Sequence, residues 1–103
     1  MDKTQEHWLI VTQGPNQGRS YPIQGMIYTL GRASDNSLVI DSPRVSRHHA
    51  QIRLLPSGTL IEDLGSTHGT WVNQRRVRDA QALASGDLIT LAEVRRLRRL
   101  GAT

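Results

Sequence analysis

Three short stretches hold the residues that could do chemistry. They are Gly31-Arg32, Ser46-Arg47-His48-His49 and Gly65-Ser66-Thr67-His68-Gly69-Thr70. Each is rich in hydroxyls, guanidinium groups or glycine backbone, and each sits between apolar runs that read as strands. Together they supply what a phosphate monoester dianion needs. A guanidinium offers a planar fork of donors, hydroxyls donate at short range, and glycine lets backbone N–H groups come close. The chain is expected to be a phosphate-recognition module and not an enzyme.

Other chemistry for these residues is weaker. Ser46 with a histidine could be nucleophile and base, with Asp63 as a distant orienter. The chain has no Gly-x-Ser-x-Gly elbow, and its 103 residues leave little room for a hydrolase pocket. Metal binding by His48 and His49 fares no better, because adjacent strand residues point to opposite faces. No metal and no cofactor is expected. In the third possibility these residues form a strand-entry loop, where Ser46 meets a ligand and one histidine turns inward to a neighbouring loop. Alternation alone does not place His49. Arg32 follows Gly31 at a strand end, where glycine marks a close approach or an unusual backbone angle. A guanidinium held there loses less entropy on meeting an anion.

The elements that must position these residues are strands. His7–Gln13, Arg19–Ile23, Met26–Leu30, Leu38–Ile40, His49–Leu55, Thr59–Asp63, Trp71–Asn73, Asp87–Leu91 and Val94–Leu100 carry the apolar signal. His49–Leu55 alternates cleanly, with Ala50, Ile52 and Leu54 on one face and Gln51 and Arg53 on the other. Pro56-Ser57-Gly58 reads as a hairpin turn, and Asn73-Gln74-Arg75-Arg76 as another, although a type I′ turn favours glycine after asparagine. Short, closely spaced strands with no convincing helix predict an all-β sandwich. At the end, Leu91, Val94, Leu97 and Leu100 recur every third residue and allow a short helix. A strand is preferred, because Gly86-Asp87 starts a hairpin that otherwise lacks a partner.

Composition narrows the classes further. A chain of 103 residues is one domain, long enough to bury roughly two-thirds of its unfolded surface. Cysteine is absent, which excludes disulfides and zinc–thiolate sites and suits a reducing cytoplasm, the expected location. No apolar run nears the ~20 residues of a membrane span, and the N-terminus lacks a signal-peptide core. Thirteen basic residues against nine acidic ones give a net charge of +4, and Lys3 is the single lysine. Arg95, Arg96, Arg98 and Arg99 crowd the C-terminal end and inflate that charge. Nothing interleaves the two tryptophans and two tyrosines with this basic cluster, which argues against nucleic acid.

The residues resemble the forkhead-associated (FHA) domain family over about positions 8–97. The resemblance runs through Gly31-Arg32, Asn36, Val45-Ser46-Arg47-x-His49-Ala50 and Asp63-x-Gly65-Ser66-Thr67-x-Gly69-Thr70-x-Val72-Asn73. It continues through Leu83-x-x-Gly86-Asp87-x-Ile89-x-Leu91. It implies an eleven-stranded antiparallel β-sandwich over residues 8–100, between tails at 1–7 and 101–103, that binds phosphothreonine peptides through loops at one end. By position, Arg32 would bind the phosphate, Ser46 would donate to it, and Arg47 would add its backbone N–H, with its side chain as a further donor. Thr67 would contact the phosphate and line a pocket for the threonine methyl. Gly31, His49, Gly65 and Gly69 would support the loops. The family's usual asparagine, which grips the peptide main chain, is His68 here, and its usual glycine in a remote turn is Gln74.

The resemblance therefore implies a phosphothreonine-dependent interaction module. Its partner would be a phosphorylated protein, such as a Ser/Thr kinase or its substrate, with no nucleic acid or membrane involved. Two rivals stand beside it. One is a phospho-independent domain that binds unphosphorylated protein through its sheet, and the other an anionic-surface or nucleic-acid binder using the C-terminal arginines. Thr4, in a polar N-terminal segment, is a candidate for self-binding once phosphorylated.

Overall fold

A computed structural model of the chain describes residues 7–92 and 95–101. The described residues contain eleven strands and no helix. In chain order they are β1 (His7–Gln13), β2 (Ser20–Ile23), β3 (Ile27–Gly31), β4 (Leu38–Val39), β5 (Ala50–Leu55), β6 (Gly58–Asp63), β7 (Thr70–Val72), β8 (Arg75–Arg76), β9 (Ala80–Leu83), β10 (Leu88–Leu91) and β11 (Arg95–Gly101). A six-stranded sheet runs β2-β1-β11-β10-β7-β8, and a five-stranded sheet runs β4-β3-β5-β6-β9. This is the predicted all-β sandwich, with one correction to its antiparallel description. Strand β4 runs parallel to β3, pairing Leu30 with Leu38 and Gly31 with Val39. The chain doubles back beside β3, and side chains begin the pairing. Thr29 N–H donates to Ser37 Oγ at 2.9 Å, and Ser37 N–H to Thr29 Oγ1 at 2.8 Å.

Alternation builds the core from both sheets. Leu9, Ile89, Leu91 and Leu97 come from the six-stranded sheet, and Leu30, Ile52 and Ile61 from the other, all with no exposed surface. Burying a side chain of this size contributes about 1.5–3 kcal/mol, so this set carries much of the stability. The same alternation settles the C-terminal element as a strand. Leu97 and Arg99 point inward while Arg96, Arg98 and Leu100 are exposed. A cluster that is continuous in sequence is thus divided between core and surface. Arg99 is buried beside the first strand, where its Nη2 donates to His7 Nδ1 at 2.6 Å and to Thr59 Oγ1 at 3.3 Å. Burial, and then the Arg99 charge, push the His7 imidazole below its ordinary pKa.

The strands extend one residue beyond the expected 8–100 at each end, because His7 pairs with both Gly101 and Ile23. Val94 and Thr4 lie outside the described residues.

Residues Asn73 and Gln74 join β7 to β8 with φ of 50° and 74°. Two left-handed residues in a two-residue hairpin make a type I′ turn. Asn73 tolerates this and is further held, its Oδ1 accepting from Leu88 N–H at 2.9 Å. Gln74 has no such compensation, and a left-handed residue with a Cβ costs about 1 kcal/mol. Gln74→Gly is expected to raise stability by about 0.5 kcal/mol after the added freedom of the unfolded chain is subtracted. Urea denaturation of the two proteins side by side measures it, and a loss of stability contradicts the turn assignment.

Candidate functional site

Register alone gathers the three chemical stretches. Leu30 on β3 pairs with Ala50 on β5, and Ala50 pairs with Asp63 on β6. That row marks one end of the five-stranded sheet. The chain leaves β3 there, enters β5 there and leaves β6 there, so three loops emerge side by side.

Backbone hydrogen bonds then join the first two loops. Arg32 N–H donates to Ser46 C=O at 3.0 Å, Ala33 N–H to Arg47 C=O at 3.1 Å, and His49 N–H to Leu30 C=O at 2.9 Å. This contact explains Gly31, whose φ is unremarkable. A Cβ built there would lie 2.2 Å from the Arg47 carbonyl oxygen, a backbone atom that cannot turn aside. Asn36, buried, ties the same carbonyl down. Its Nδ2 donates to Arg47 C=O at 2.7 Å and to Ala33 C=O at 2.8 Å.

His49 joins the second loop to the third. Its Nδ1 accepts from Ser46 N–H at 3.0 Å, so the ring proton sits on Nε2 and is donated to Gly69 C=O at 2.7 Å. Of the two adjacent histidines, this is the inward one, with no exposed surface. His48 is exposed and faces Asp35, its Nε2 2.9 Å from Oδ1. Burial lowers the His49 pKa, and the Gly69 hydrogen bond and Asp63 only partly oppose it. The ring is therefore neutral. Protonation would set a second N–H against the Ser46 N–H.

Asp63 organises the third loop. Its Oδ2 accepts from Gly65 N–H at 3.1 Å and Ser66 N–H at 3.0 Å. Its Oδ1 accepts from the Ser66 hydroxyl at 2.6 Å and the Thr70 hydroxyl at 2.7 Å. Burial pushes this carboxyl up, but those four donors outweigh it and hold the pKa below the ordinary 3.8. The hydroxyl-rich loop thus has two populations. Ser66 and Thr70 face Asp63, whereas Thr67 and His68 are exposed. Gly69 needs its glycine twice over, with φ at +92° and a would-be Cβ 2.8 Å from the Trp71 ring.

A cavity of about 490 Å³ opens between the loops, lined by Arg32, Arg44, Ser46, Arg47, Thr67 and His68 among others. The Arg32 guanidinium is anchored through Nε to Val45 C=O at 3.0 Å. Its terminal nitrogens make no hydrogen bond or ion pair among the described residues. Ser46 Oγ accepts from Thr67 N–H at 3.0 Å, which leaves its own proton to donate. Every residue expected to touch a ligand lines this one cavity. Pro43 and Arg44 also line it and were not anticipated from sequence. Arg44, two residues before Ser46 and next to a proline-fixed turn, was the available signal. The role of Asn36 was also missed, though it stands within the motif.

A two-layer β-sandwich with its polar cavity on loops at one pole defines a binding scaffold in which rigid strands carry variable loops. The FHA domain model matches residues 28–92, and the chain belongs to the FHA domain family. It is 42% identical over 76 residues to the transcriptional regulatory protein EmbR of Mycobacterium tuberculosis, covering 74% of this chain and 20% of EmbR. It is 37% identical over 87 residues to the glycogen accumulation regulator GarA of the same species, covering 84% of this chain and 53% of GarA. The chain therefore spans only a fifth to about half of these relatives. The structure of M. tuberculosis EmbR with a low-affinity phosphopeptide superposes with a TM-score of 0.85 at 35% identity, over 92% of this chain and 24% of that one. A solved FHA domain studied for phosphothreonine-dependent interactions superposes at 0.84 with 31% identity, over 95% and 98% of the two chains.

Two variants test the loop scaffold. Gly31→Ala is expected to lose about 1–3 kcal/mol of stability, because a backbone oxygen must move for the methyl. A urea midpoint equal to wild type would show that the Arg47 carbonyl does not sit there. Asp63→Asn cannot accept all four donors and should cost about 1–3 kcal/mol at neutral pH. Because the native pKa is depressed, that advantage of wild type is complete above about pH 4 and shrinks as pH falls through the native value. Parallel stability curves for the two proteins down to pH 2.5 would contradict the role given to the carboxylate.

Proposed function

We propose that the chain is a phosphothreonine-dependent binding module of regulatory signalling, acting by recognition and not by catalysis. The observation that carries this is the single cavity lined by Arg32, Ser46, Arg47, Thr67 and His68. In this reading the free ends of the Arg32 guanidinium hold two phosphate oxygens. The Ser46 hydroxyl and the Arg47 N–H donate to the phosphate. The Thr67 side chain contacts it and walls off a space for the threonine methyl. His68, one ring nitrogen a donor and the other an acceptor when neutral, meets the peptide main chain in place of an amide. Gly31, His49, Gly65 and Gly69 keep the loops in shape.

The partner is then a phosphorylated protein, such as a Ser/Thr kinase or its substrate, in the cytoplasm. The phosphopeptide bound to EmbR and the regulatory names of EmbR and GarA support that class. No described helix is long and apolar enough to cross a membrane. A phosphate on Thr4 is a further ligand in this reading, on a neighbouring copy by preference. Three extended residues before His7 reach about 10 Å. His7 lines the cavity around Ser57 and Gly58, at the opposite end of β5 and β6 from the loops. Six-residue strands span about 20 Å, which favours the site of a neighbouring copy.

Arg32→Ala is expected to weaken binding of a phosphothreonine peptide at least about a hundredfold while leaving the urea midpoint unchanged, since two charge-assisted hydrogen bonds contribute about 1.5–3 kcal/mol each. Calorimetric affinity within about threefold of wild type would remove Arg32 from the site. A matched phosphoserine peptide should bind about tenfold more weakly, as a fitted methyl demands. Equal affinities would mean that no methyl pocket exists.

A further inference from the structure

The outer face of the six-stranded sheet carries charge in a way its sequence conceals. Strands β1, β2, β7, β8, β10 and β11 contain no aspartate or glutamate. The five-stranded sheet is balanced instead, with Arg53 Nη1 3.5 Å from Glu62 Oε2. On the six-stranded sheet Arg96 and Arg98 point outward with no carboxylate opposite them in the register. Arg98 Nη1 donates to Gly86 C=O at 2.7 Å, which steadies the side chain and leaves its other donors available.

Register also interleaves what the sequence separates. Trp8 pairs with Leu100, and Arg98 lies between Ile10 and Leu88. Arg96 pairs with Thr90, which pairs with Trp71. The expectation that nothing interleaves the aromatic residues with the basic cluster is thus corrected. The interleaving runs across strands and is invisible along the chain. Trp71, Gln74, Thr90 and Arg96 enclose a shallow depression.

We propose that this face binds an unphosphorylated, extended acidic segment of a partner protein, laid along β11. Three observations select that occupant. The sign of the face calls for an anion. Arg96, Arg98 and Leu100 project at every second residue, about 6.8 Å apart, which is also the side-chain repeat of an extended peptide. The facing pattern is then acid-x-acid-x-apolar, with the apolar residue over Leu100 and Trp8. Base stacking is disfavoured by contrast. The Arg76 guanidinium already covers the Trp71 ring at 5.2 Å, and Trp8 pairs with Pro22 and Leu100, not with a cation. Arginine and tryptophan are also the residues on which protein–protein affinity concentrates. None of Arg96, Arg98, Leu100 and Trp8 lines the cavity between the phosphate loops, so one molecule can hold both ligands.

The test is a nitrogen-15 NMR titration of the whole chain with a synthetic peptide built on Glu-Ser-Glu-Ser-Leu. The amides of β11 and the indole N–H of Trp8 should shift, and the loop residues Ser46 and Thr67 should not. A permuted peptide, Glu-Glu-Ser-Ser-Leu, should bind at least about threefold more weakly. Arg96→Gln with Arg98→Gln, which keeps both side chains long and polar, should weaken binding about tenfold, and the charge-reversing glutamate pair should do so further. Arg32→Ala should bind the acidic peptide as wild type does, so this surface stands or falls apart from the phosphate site. Equal binding of the permuted peptide, unchanged binding by the glutamine pair, or shifts confined to the loops would each overturn the proposal. Tighter binding of an oligothymidylate or of phosphatidylserine vesicles at equal total charge would overturn it in favour of those anions.

Discussion

The binding end of this domain depends on one neutral imidazole. His49 accepts from the second loop and donates to the third, and no water shares its bonds because it is fully buried. Losing either partner would leave a buried polar atom unsatisfied, at about 1–3 kcal/mol. Its pKa is depressed chiefly by burial. The folded state therefore binds its proton less readily than the unfolded chain does. This support is complete above the ordinary histidine value near 6.5 and is lost as pH falls through the lower native value. Asp63 follows the same sign at more acid pH. The loops are built to loosen in acid before the apolar core has any reason to.

Much of this was legible in the sequence because it follows from alternation. Ala50 and Ile52 announce their inward face, whereas β8 was read as part of a turn and β9 was not read as a strand, because two- and four-residue edge strands carry little alternation. The ligand candidates were legible as residue types between strands. Contacts between distant residues were not. Glycine at 31 marks a strand end, but only the fold shows that the Arg47 carbonyl crosses it. Alternation could not place His49, since it precedes β5 and is held by loop contacts instead of the pleat. The role of Asn36 and the place of Arg44 were hidden for the same reason: their significance lies in what the neighbouring loop brings to them.

The two sheets answer solvent differently. On the five-stranded sheet, Arg53 and Gln51 both meet Glu62, the glutamine through Nε2 at 2.7 Å. That face is neutralised internally. The six-stranded sheet carries no carboxylate in its strands, Arg96 and Arg98 lie on its outer face, and Arg99 is drawn inside where Thr59 and His7 receive it. The basic cluster at the end of the sequence thus divides, with Arg96 and Arg98 on the outer face and Arg99 in the core.

The pairing of β1 with β11 has a mechanical side. His7 stands opposite Gly101, and the two strands run antiparallel from that point inward. A force drawing these two positions apart loads the hydrogen bonds one at a time, like a zipper, and not all together in shear. The domain resists heat and denaturant through its whole core, yet yields to tension at the seam where its first and last strands meet. The loops on the opposite pole are the last part of the molecule to feel that pull.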